Sequence, residues 1–356
     1  MAVMTASIPT ERVKKSRLSS VDFSNLGFGT YISDHMVVAD YKNGEWQEPK
    51  IVPYGEMLMS PAILALHYGQ SVFEGMKAFK NKSGQITIFR PQRHHQRFNK
   101  SLERMCMPSI SEDLFINSLT SLIELDEAWI PTAEGSSLYI RPFMFANEAR
   151  LGVKVSDEYR FVILTCPVAP YFTKPVRVKV EEEFVRAAEG GTGYAKCAGN
   201  YGGAFYPTEL ARKQGFDQVL WTDSKEHKYI DESGAMNVMF VLNGKLVTPK
   251  LLSSLLDGVT RDSILTLAPS LGIEIDERKI SVAELEEGFK KGTLTEAFGV
   301  GTAAVVSPIA AISIHGKVYE LPPVGPDSFQ LRAKKKLNDI RMAVEPDVHG
   351  WNYPVK

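Results

Sequence analysis

The stretch Glu189-Gly-Gly-Thr-Gly-Tyr-Ala-Lys-Cys-Ala-Gly-Asn-Tyr-Gly-Gly203 holds six glycines in fifteen residues around one lysine, Lys196. Glycine tolerates positive φ and lets a bulky group approach the main chain closely. A lysine held in such a loop is placed to form an imine with a carbonyl compound. That chemistry needs a deprotonated amine at neutral pH, which calls for burial or a neighbouring cation. Two other readings stay open on spacing alone: an ordinary loop lysine, and a glycine-rich phosphate cradle. The window contains no G-x-x-x-x-G-K-[ST], and no clear βαβ unit frames its Gly-x-Gly, so a nucleotide-binding loop is weakly supported.

Outward from this window, the pattern separates into two α+β regions. Upstream, the Met36-Val37-Val38 run, Lys50 to Val52 and Gln85 to Phe89 alternate with turns at Asn43-Gly44 and Ser83-Gly84 and read as strands. A helix should start at Pro91, a favoured first-turn residue, and place Phe98, Leu102 and Met105 on one face. A second should open at Ser109-x-x-Glu112, a capping box, and bury Phe115, Leu119, Leu122 and Ile123. Strands return at Ser137 to Met144 and Tyr159 to Val168. The spacing predicts an N-terminal domain over residues 1–168, with residues 1–20 as a flexible tail, and a linker over 169–175. A second domain over 176–356 opens with the alternating strand Val176, Val178, Val180. It contains a hairpin across Asn243-Gly244, a helix from Thr260 closed by Gly272, and a helix capped by Ser281 with Glu284.

The chain has 356 residues, 44% of them hydrophobic and 23% charged, enough apolar material for two cores. With 41 Lys+Arg against 42 Asp+Glu the formal charge is -1, and no basic stripe is present, which disfavours nucleic acid as a partner. Cys106, Cys166 and Cys197 are too few and scattered for a disulfide framework or a zinc site; no metal is expected, and a reducing, cytoplasmic compartment fits. Ala297 to Gly316 lacks Lys, Arg, Asp and Glu, but Pro308 would break a helix there. Two buried strands around a Gly-rich turn suit it better than a membrane span. Arg12, Lys14, Lys15 and Arg17 sit among serines and threonines without an apolar run, so no secretory signal is expected.

Many ordered segments carry a resemblance. They are Phe28-Gly-Thr, His67-Tyr-Gly-Gln-Ser-Val-Phe-Glu-Gly-Met-Lys-Ala-Phe79, Phe89-Arg-Pro91, Ser137-Leu-Tyr-Ile-Arg-Pro142, Asn147-Glu148, Leu151-Gly-Val153 and Tyr171-Phe172, followed by the lysine window. Beyond it come Gln218-Val-Leu-Trp221, Glu232, Met236-Asn237, Gly258-Val-Thr-Arg261 and Phe298-Gly-Val-Gly-Thr-Ala303. Together, over almost the whole chain after about residue 24, these resemble the branched-chain amino-acid aminotransferases, pyridoxal-phosphate enzymes of fold-type IV. The resemblance implies an α/β (α+β) fold of two domains, a smaller N-terminal α+β domain and a larger β-rich, cofactor-binding C-terminal one. It implies transfer of the amino group of leucine, isoleucine or valine to 2-oxoglutarate, with pyridoxal 5'-phosphate as cofactor. The active sites would lie near the interface of a homodimer.

The resemblance also assigns roles. Lys196 matches the residue that holds the cofactor as an internal aldimine and moves the substrate proton. Glu232 matches the carboxylate beside the pyridine nitrogen, and Tyr201 the phenol at the 3' oxygen. Arg97, Val259, Thr260 and Thr302 match the phosphate's partners, an arrangement that suits a guanidinium and a helix N-terminus. Phe28, Tyr68, Tyr139 and Tyr171 match aromatic walls of the substrate pocket, Ala303 the group near the α-carboxylate, and Leu151 and Val153 apolar residues reaching over from the neighbouring subunit. Arg141, two residues from Tyr139 and so on the same side of a strand, could meet a glutamate carboxylate. One departure stands out: the Cys-x-x-Cys that mammalian members carry is replaced here by Ala304 and Ser307. Alternatives from the same fold are a D-amino-acid aminotransferase or an aminodeoxychorismate lyase. A ligand-binding relative without activity would have lost Lys196, Glu232 or Arg97, and all three are present.

Overall fold

Residues 8–171 and 174–355 are described by a computed structural model, and they fall into two compact units, each with its own sheet. The first comprises Met1–Tyr171, Ala195–Ala198 and Arg341–Lys356; the second comprises Phe172–Tyr194 and Gly199–Ile340. Their division falls inside the expected 169–175 linker. The resemblance segment Tyr171-Phe172 is described only at Tyr171, since Phe172 lies outside the described residues. Two pieces expected in the second domain group with the first. The C-terminal strand Asn352–Pro354 pairs with Ile86–Phe89, and Cys197 bridges to Val72.

In the first unit the strands are β1 (His35–Lys42), β2 (Glu45–Trp46), β3 (Lys50–Pro53), β4 (Ser71–Phe73), β5 (Met76–Lys80), β6 (Ile86–Phe89), β7 (Ser137–Ala146) and β8 (Tyr159–Val168). They form one sheet in the order C-terminal strand, β6, β5, β7, β8, β1, β2, with β3 on β1 and β4 on β7. Helix α1 (Pro91–Arg104) and helix α2 (Glu112–Leu125) supply Phe98, Leu102, Phe115, Leu119, Leu122 and Ile123, all fully buried, to its core. The cap of α2 differs from the expected one. Ser111, not Ser109, is the N-cap, and its hydroxyl accepts from the Leu114 N–H at 3.2 Å. Ser109 is held in the preceding loop, where its carbonyl accepts from Trp46 and the next residue, Ile110, bonds to Asn99.

The expected flexible tail also needs correction over its described part, residues 8–20. Thr10 bridges to Ile51, with Glu11 N–H donating to the Ile51 carbonyl at 2.9 Å. The Val13 N–H donates to His35 Nε2 and the Arg17 N–H to Asp34, so buried polar groups of β1's start hold the segment down. Tertiary partners far along the chain override its polar composition.

The second unit contains β9 (Val176–Val180), β10 (Gln218–Thr222), β11 (Ile230–Ser233), β12 (Met236–Leu242), β13 (Lys245–Pro249), β14 (Ile275–Arg278), β15 (Leu294–Gly301), β16 (Val305–Ile314) and β17 (Lys317–Glu320). Their order is β11, β10, β9, β16, β15, β12, β13, β14, with β17 on β16. Because β11 also pairs with β12, the run from β11 to β12 closes on itself, which removes the free edge of β11. Val178, Leu220, Val238, Phe240, Ala297 and Ile312 fill its core. The β12–β13 hairpin turns on Asn243 and Gly244, both at positive φ as a primed turn requires. Helix α3 (Phe205–Lys213) precedes β10, and helix α4 (Val259–Leu267) ends before Pro269; a single 3-10 turn then carries the chain to left-handed Gly272. Helix α5 (Val282–Lys291) is capped by Ser281, as expected. The charge-free stretch 297–316 forms most of β15 and β16. Among the described residues no helix is long and apolar enough to cross a membrane.

Candidate active site

Of the window's six glycines, only Gly190 sits at positive φ. Gly193 is there for close approach: a Cβ would lie 2.3 Å from the Ser254 carbonyl oxygen. On Gly199 and Gly202 a Cβ would meet nothing within 4 Å, so that side of the main chain is open. Lys196 itself belongs to the short piece that follows the first unit's sheet.

In the first unit, the Lys196 backbone is held from both sides. Its N–H donates to Ser101 Oγ on α1 at 2.9 Å, and its carbonyl accepts from the Phe73 N–H at 3.0 Å. The Ala198 N–H bonds to Ser71, so the segment runs along β4 like an added strand. The amine lies 4.8 Å from the centroid of the Phe73 ring. Arg141, on β7, stacks its guanidinium 4.8 Å from the centroid of that same ring and donates to Tyr139 Oη at 2.9 Å. Gly75 permits this, since a Cβ there would fall 2.0 Å from Tyr139 Oη. Phe28 completes the aromatic set, edge-on to Tyr139 at 4.8 Å and to Tyr171 at 5.2 Å. Lysine, arginine and three of the four expected aromatic walls are thus linked through Phe73.

Tyr68 stands apart from that set. Its hydroxyl donates to the Leu151 carbonyl, and Leu151 and Val153 are 67% and 81% exposed. Arg97 is buried on α1, one turn before Ser101, and is gripped by a carboxylate: Nε and Nη2 reach Glu74 Oε1 and Oε2 at 2.7 and 2.8 Å. His94 Nδ1 also bonds to Glu74 Oε2. Burial alone would raise the Glu74 carboxyl, but the Arg97 guanidinium and His94 hold it well below the usual carboxylate range. Burial in turn lowers His94, against the pull of Glu74. Arg93 and Arg104, on the same helix, are half-buried.

In the second unit, Glu232 is buried on β11. Its Oε1 accepts from the Leu256 N–H at 2.7 Å and from Asn237 at 3.3 Å. Arg186 Nε lies 3.2 Å from Oε2, near enough for an ion pair but off the hydrogen-bond axis. Arg186 Nη2 donates to the carbonyls of Gly193 and Ser254 at 3.0 and 2.6 Å. Tyr201, Glu232, Arg186, Gln218, Ala235 and Leu256 line a cavity of about 450 Å³. Val259 and Thr260 are buried at the start of α4, where Gly258 is the N-cap and no side chain caps the helix. Its first amides are therefore suited to an anion. Thr302 and Ala303 occupy the three-residue turn between β15 and β16. That turn is strained, since Val305, a β-branched residue, sits at φ 61.

Burial pushes the Asp231 carboxyl up to about 7, with the adjacent Glu232 adding to the effect. Phe73, Glu74, Ser101, Arg186 and Asp231 were not singled out from sequence. Glu74 had the one visible signal, a charge inside an apolar strand-like run.

The pattern of the family described as amino-transferase class IV matches residues 71–312. A probable branched-chain-amino-acid aminotransferase of Staphylococcus aureus (strain MRSA252) is 49% identical over 343 residues, 94% of this chain and 94% of that protein. Branched-chain-amino-acid transaminase 1 of Bacillus subtilis (strain 168) is 44% identical over 339 residues, 94% and 95% of the two chains. A solved structure, the branched-chain amino acid aminotransferase from Escherichia coli, aligns with a TM-score of 0.71 at 28% identity, covering 89% of this chain and 99% of that one. The chain belongs to the class IV aminotransferases. These relatives carry the name that the resemblance implied.

Proposed function

We infer that the protein is a pyridoxal-phosphate-dependent transaminase that moves the amino group of leucine, isoleucine or valine to 2-oxoglutarate. The observation that carries this is the setting of Lys196. Its backbone is pinned on both sides, while its amine lies over Phe73, the ring shared with Arg141. An amine so held is linked through Phe73 and Arg141 to the aromatic set of Tyr139, Phe28 and Tyr171.

The donor set fits the cofactor. A buried carboxylate and a phenol share one cavity in the second unit, and a buried guanidinium and an uncapped helix start offer anion sites. Glu232 would meet the ring nitrogen and Tyr201 the 3' oxygen, with Arg97, Val259, Thr260 and Thr302 at the phosphate. When bound, the cofactor supplies an electron-poor ring that accepts the electron pair left when Cα loses its proton. Lys196 Nζ takes that proton and returns it. The Ala303 amide meets the α-carboxylate. Phe28, Tyr139 and Tyr171 form walls for an aliphatic side chain, with Tyr68 the expected fourth wall that lies outside this set, while Arg141, with Tyr139, offers charge to the distal carboxylate of glutamate.

The working form is the homodimer that the resemblance implies, in which Leu151 and Val153, exposed in the single chain, would contact the second copy. Three free cysteines suit a cytoplasmic setting. Borohydride reduction of the yellow holoenzyme, followed by peptide mapping, should fix the cofactor on Lys196, and Lys196→Ala should abolish transamination of leucine while the fold survives. Label on another lysine, or retained turnover, would overturn the assignment. Sedimentation of the native protein should give twice the chain mass.

A further inference from the structure

We propose that Glu74 is a positioning residue: it aims Arg97 at the cofactor's phosphate and sets Arg97's spacing from Lys196. The proposal rests on the reading of Arg97 given above. Glu74 is wholly out of water, at 0% exposure. A buried carboxylate is unfavourable unless it is paired and hydrogen-bonded, and this one is both. It accepts from Nε and Nη2 of Arg97, from Nδ1 of His94 and from the Gly75 N–H at 3.1 Å, while its own N–H donates to the Pro142 carbonyl.

Buried ion pairs are often no more stabilising than apolar residues of the same size, so stability alone is a weak account of this one. Geometry is a better account. A two-point grip on the Nε–Nη2 edge fixes the guanidinium plane and hence the direction of its other edge.

The second consequence comes from connectivity. Glu74 directly follows Phe73, whose N–H holds the Lys196 carbonyl. Arg97 precedes Ser101 by one helical turn; the Ser101 hydroxyl donates to the Arg97 carbonyl at 2.9 Å and accepts from the Lys196 N–H. Hydrogen bonds therefore run in a closed circuit from the Lys196 carbonyl through Phe73, Glu74, Arg97 and Ser101 back to the Lys196 amide. The Glu74–Arg97 link is the only side-chain pair of opposite charge in that circuit. Cutting it frees the arginine from the strand that carries the lysine loop, with no atom of the cofactor enclosure removed.

The test titrates full-length protein, stripped of cofactor, with pyridoxal phosphate and with pyridoxal, which lacks the phosphate, following absorbance. Glu74→Gln should weaken pyridoxal phosphate by about 10- to 100-fold, the span of one hydrogen bond to a charged group, and pyridoxal by less than about threefold. A purely structural role would weaken both equally. Equal losses, or unchanged or tighter binding of pyridoxal phosphate, would overturn the proposal. Arg97→Gln separates the two readings. If it leaves the ratio of the two affinities at the wild-type value, Arg97 does not serve the phosphate. If it collapses that ratio while Glu74→Gln does not, only the role of Glu74 falls. Should Glu74→Gln fail to fold, Glu74→Asp carries the same test, because it keeps the charge but withdraws it from Arg97; a selective loss is expected there too, and equal changes refute.

Discussion

Replacing Arg186 with methionine would remove a guanidinium that joins three segments of the second unit. Its side chain is 8% exposed, it bonds to the Gly193 and Ser254 carbonyls at 3.0 and 2.6 Å, and its Nε lies 3.2 Å from Glu232. Methionine refills much of the volume, so the loss is polar rather than a cavity. Glu232 keeps its bonds from Leu256 and Asn237 but loses its neighbouring cation. Breaking a buried pair by deleting one partner costs about 3–5 kcal/mol. The two carbonyls that lose their donor belong to the same truncation and are counted within that figure. The expected total is therefore about 3–5 kcal/mol. Arg186→Lys restores charge but not the two-carbonyl grip, and should recover roughly half of the loss. Hydrogen exchange on peptides covering β11 and β12, in protein stripped of cofactor, reads this unit by itself. Protection lowered by less than about 1 kcal/mol in the methionine variant would refute the bridging role.

Three further outcomes can be checked separately. Asp231, raised to about 7, keeps in the native state a proton that the unfolded chain releases above about pH 4, so stability is lost as pH rises through that window and is level beyond it. Asp231→Asn should flatten this slope and stabilise the protein at pH 8 by about 2–4 kcal/mol; urea midpoints that shift in parallel with pH in both proteins would reject it. Arg141→Met should raise KM for 2-oxoglutarate by about 10-fold or more and alter KM for leucine far less, and matched changes would remove Arg141 from the distal carboxylate. Gly193→Ala forces a Cβ against backbone, 2.3 Å from the Ser254 oxygen and 2.6 Å from its carbon, and should destabilise by about 1–3 kcal/mol in thermal unfolding; an unchanged midpoint would mean that the loop yields freely.

What could be read from sequence was what neighbours in the chain determine. Asn243-Gly244 dictates a primed turn through its own backbone preferences, and Ser281 caps α5 with the residue three positions on. The cap of α2 was placed two residues early because Ser109 and Ser111 both offer a hydroxyl before the helix. The choice is made by Ile110, which the remote Asn99 ties to α1. The same logic explains the tail: residues 8–20 look solvated until His35 and Asp34 supply partners that no local pattern announces. Lys196 and Glu232 were legible through the resemblance. Glu74 and Arg186 were not singled out, because their role lies in pairings between distant segments, and a charge on a strand or loop reads as solvated until the fold buries it.

The glycine window shows where local reading ends. Its composition pointed to unusual backbone conformations, yet only one of six glycines uses positive φ. Gly193 is small because the Ser253–Leu255 segment passes against it, and Arg186 ties those two strands of chain together. That same segment leads to Leu256, whose N–H holds Glu232, and then to the uncapped start of α4. On the other side of the lysine, the main chain is held by β4 and Ser101. A lysine that must both carry a cofactor and move a proton needs a fixed backbone and a mobile side chain. Four backbone and hydroxyl hydrogen bonds around residues 194–198 supply the first. Gly193 thus serves packing before the lysine, against a segment some sixty residues further on, which is not a property of the loop in isolation.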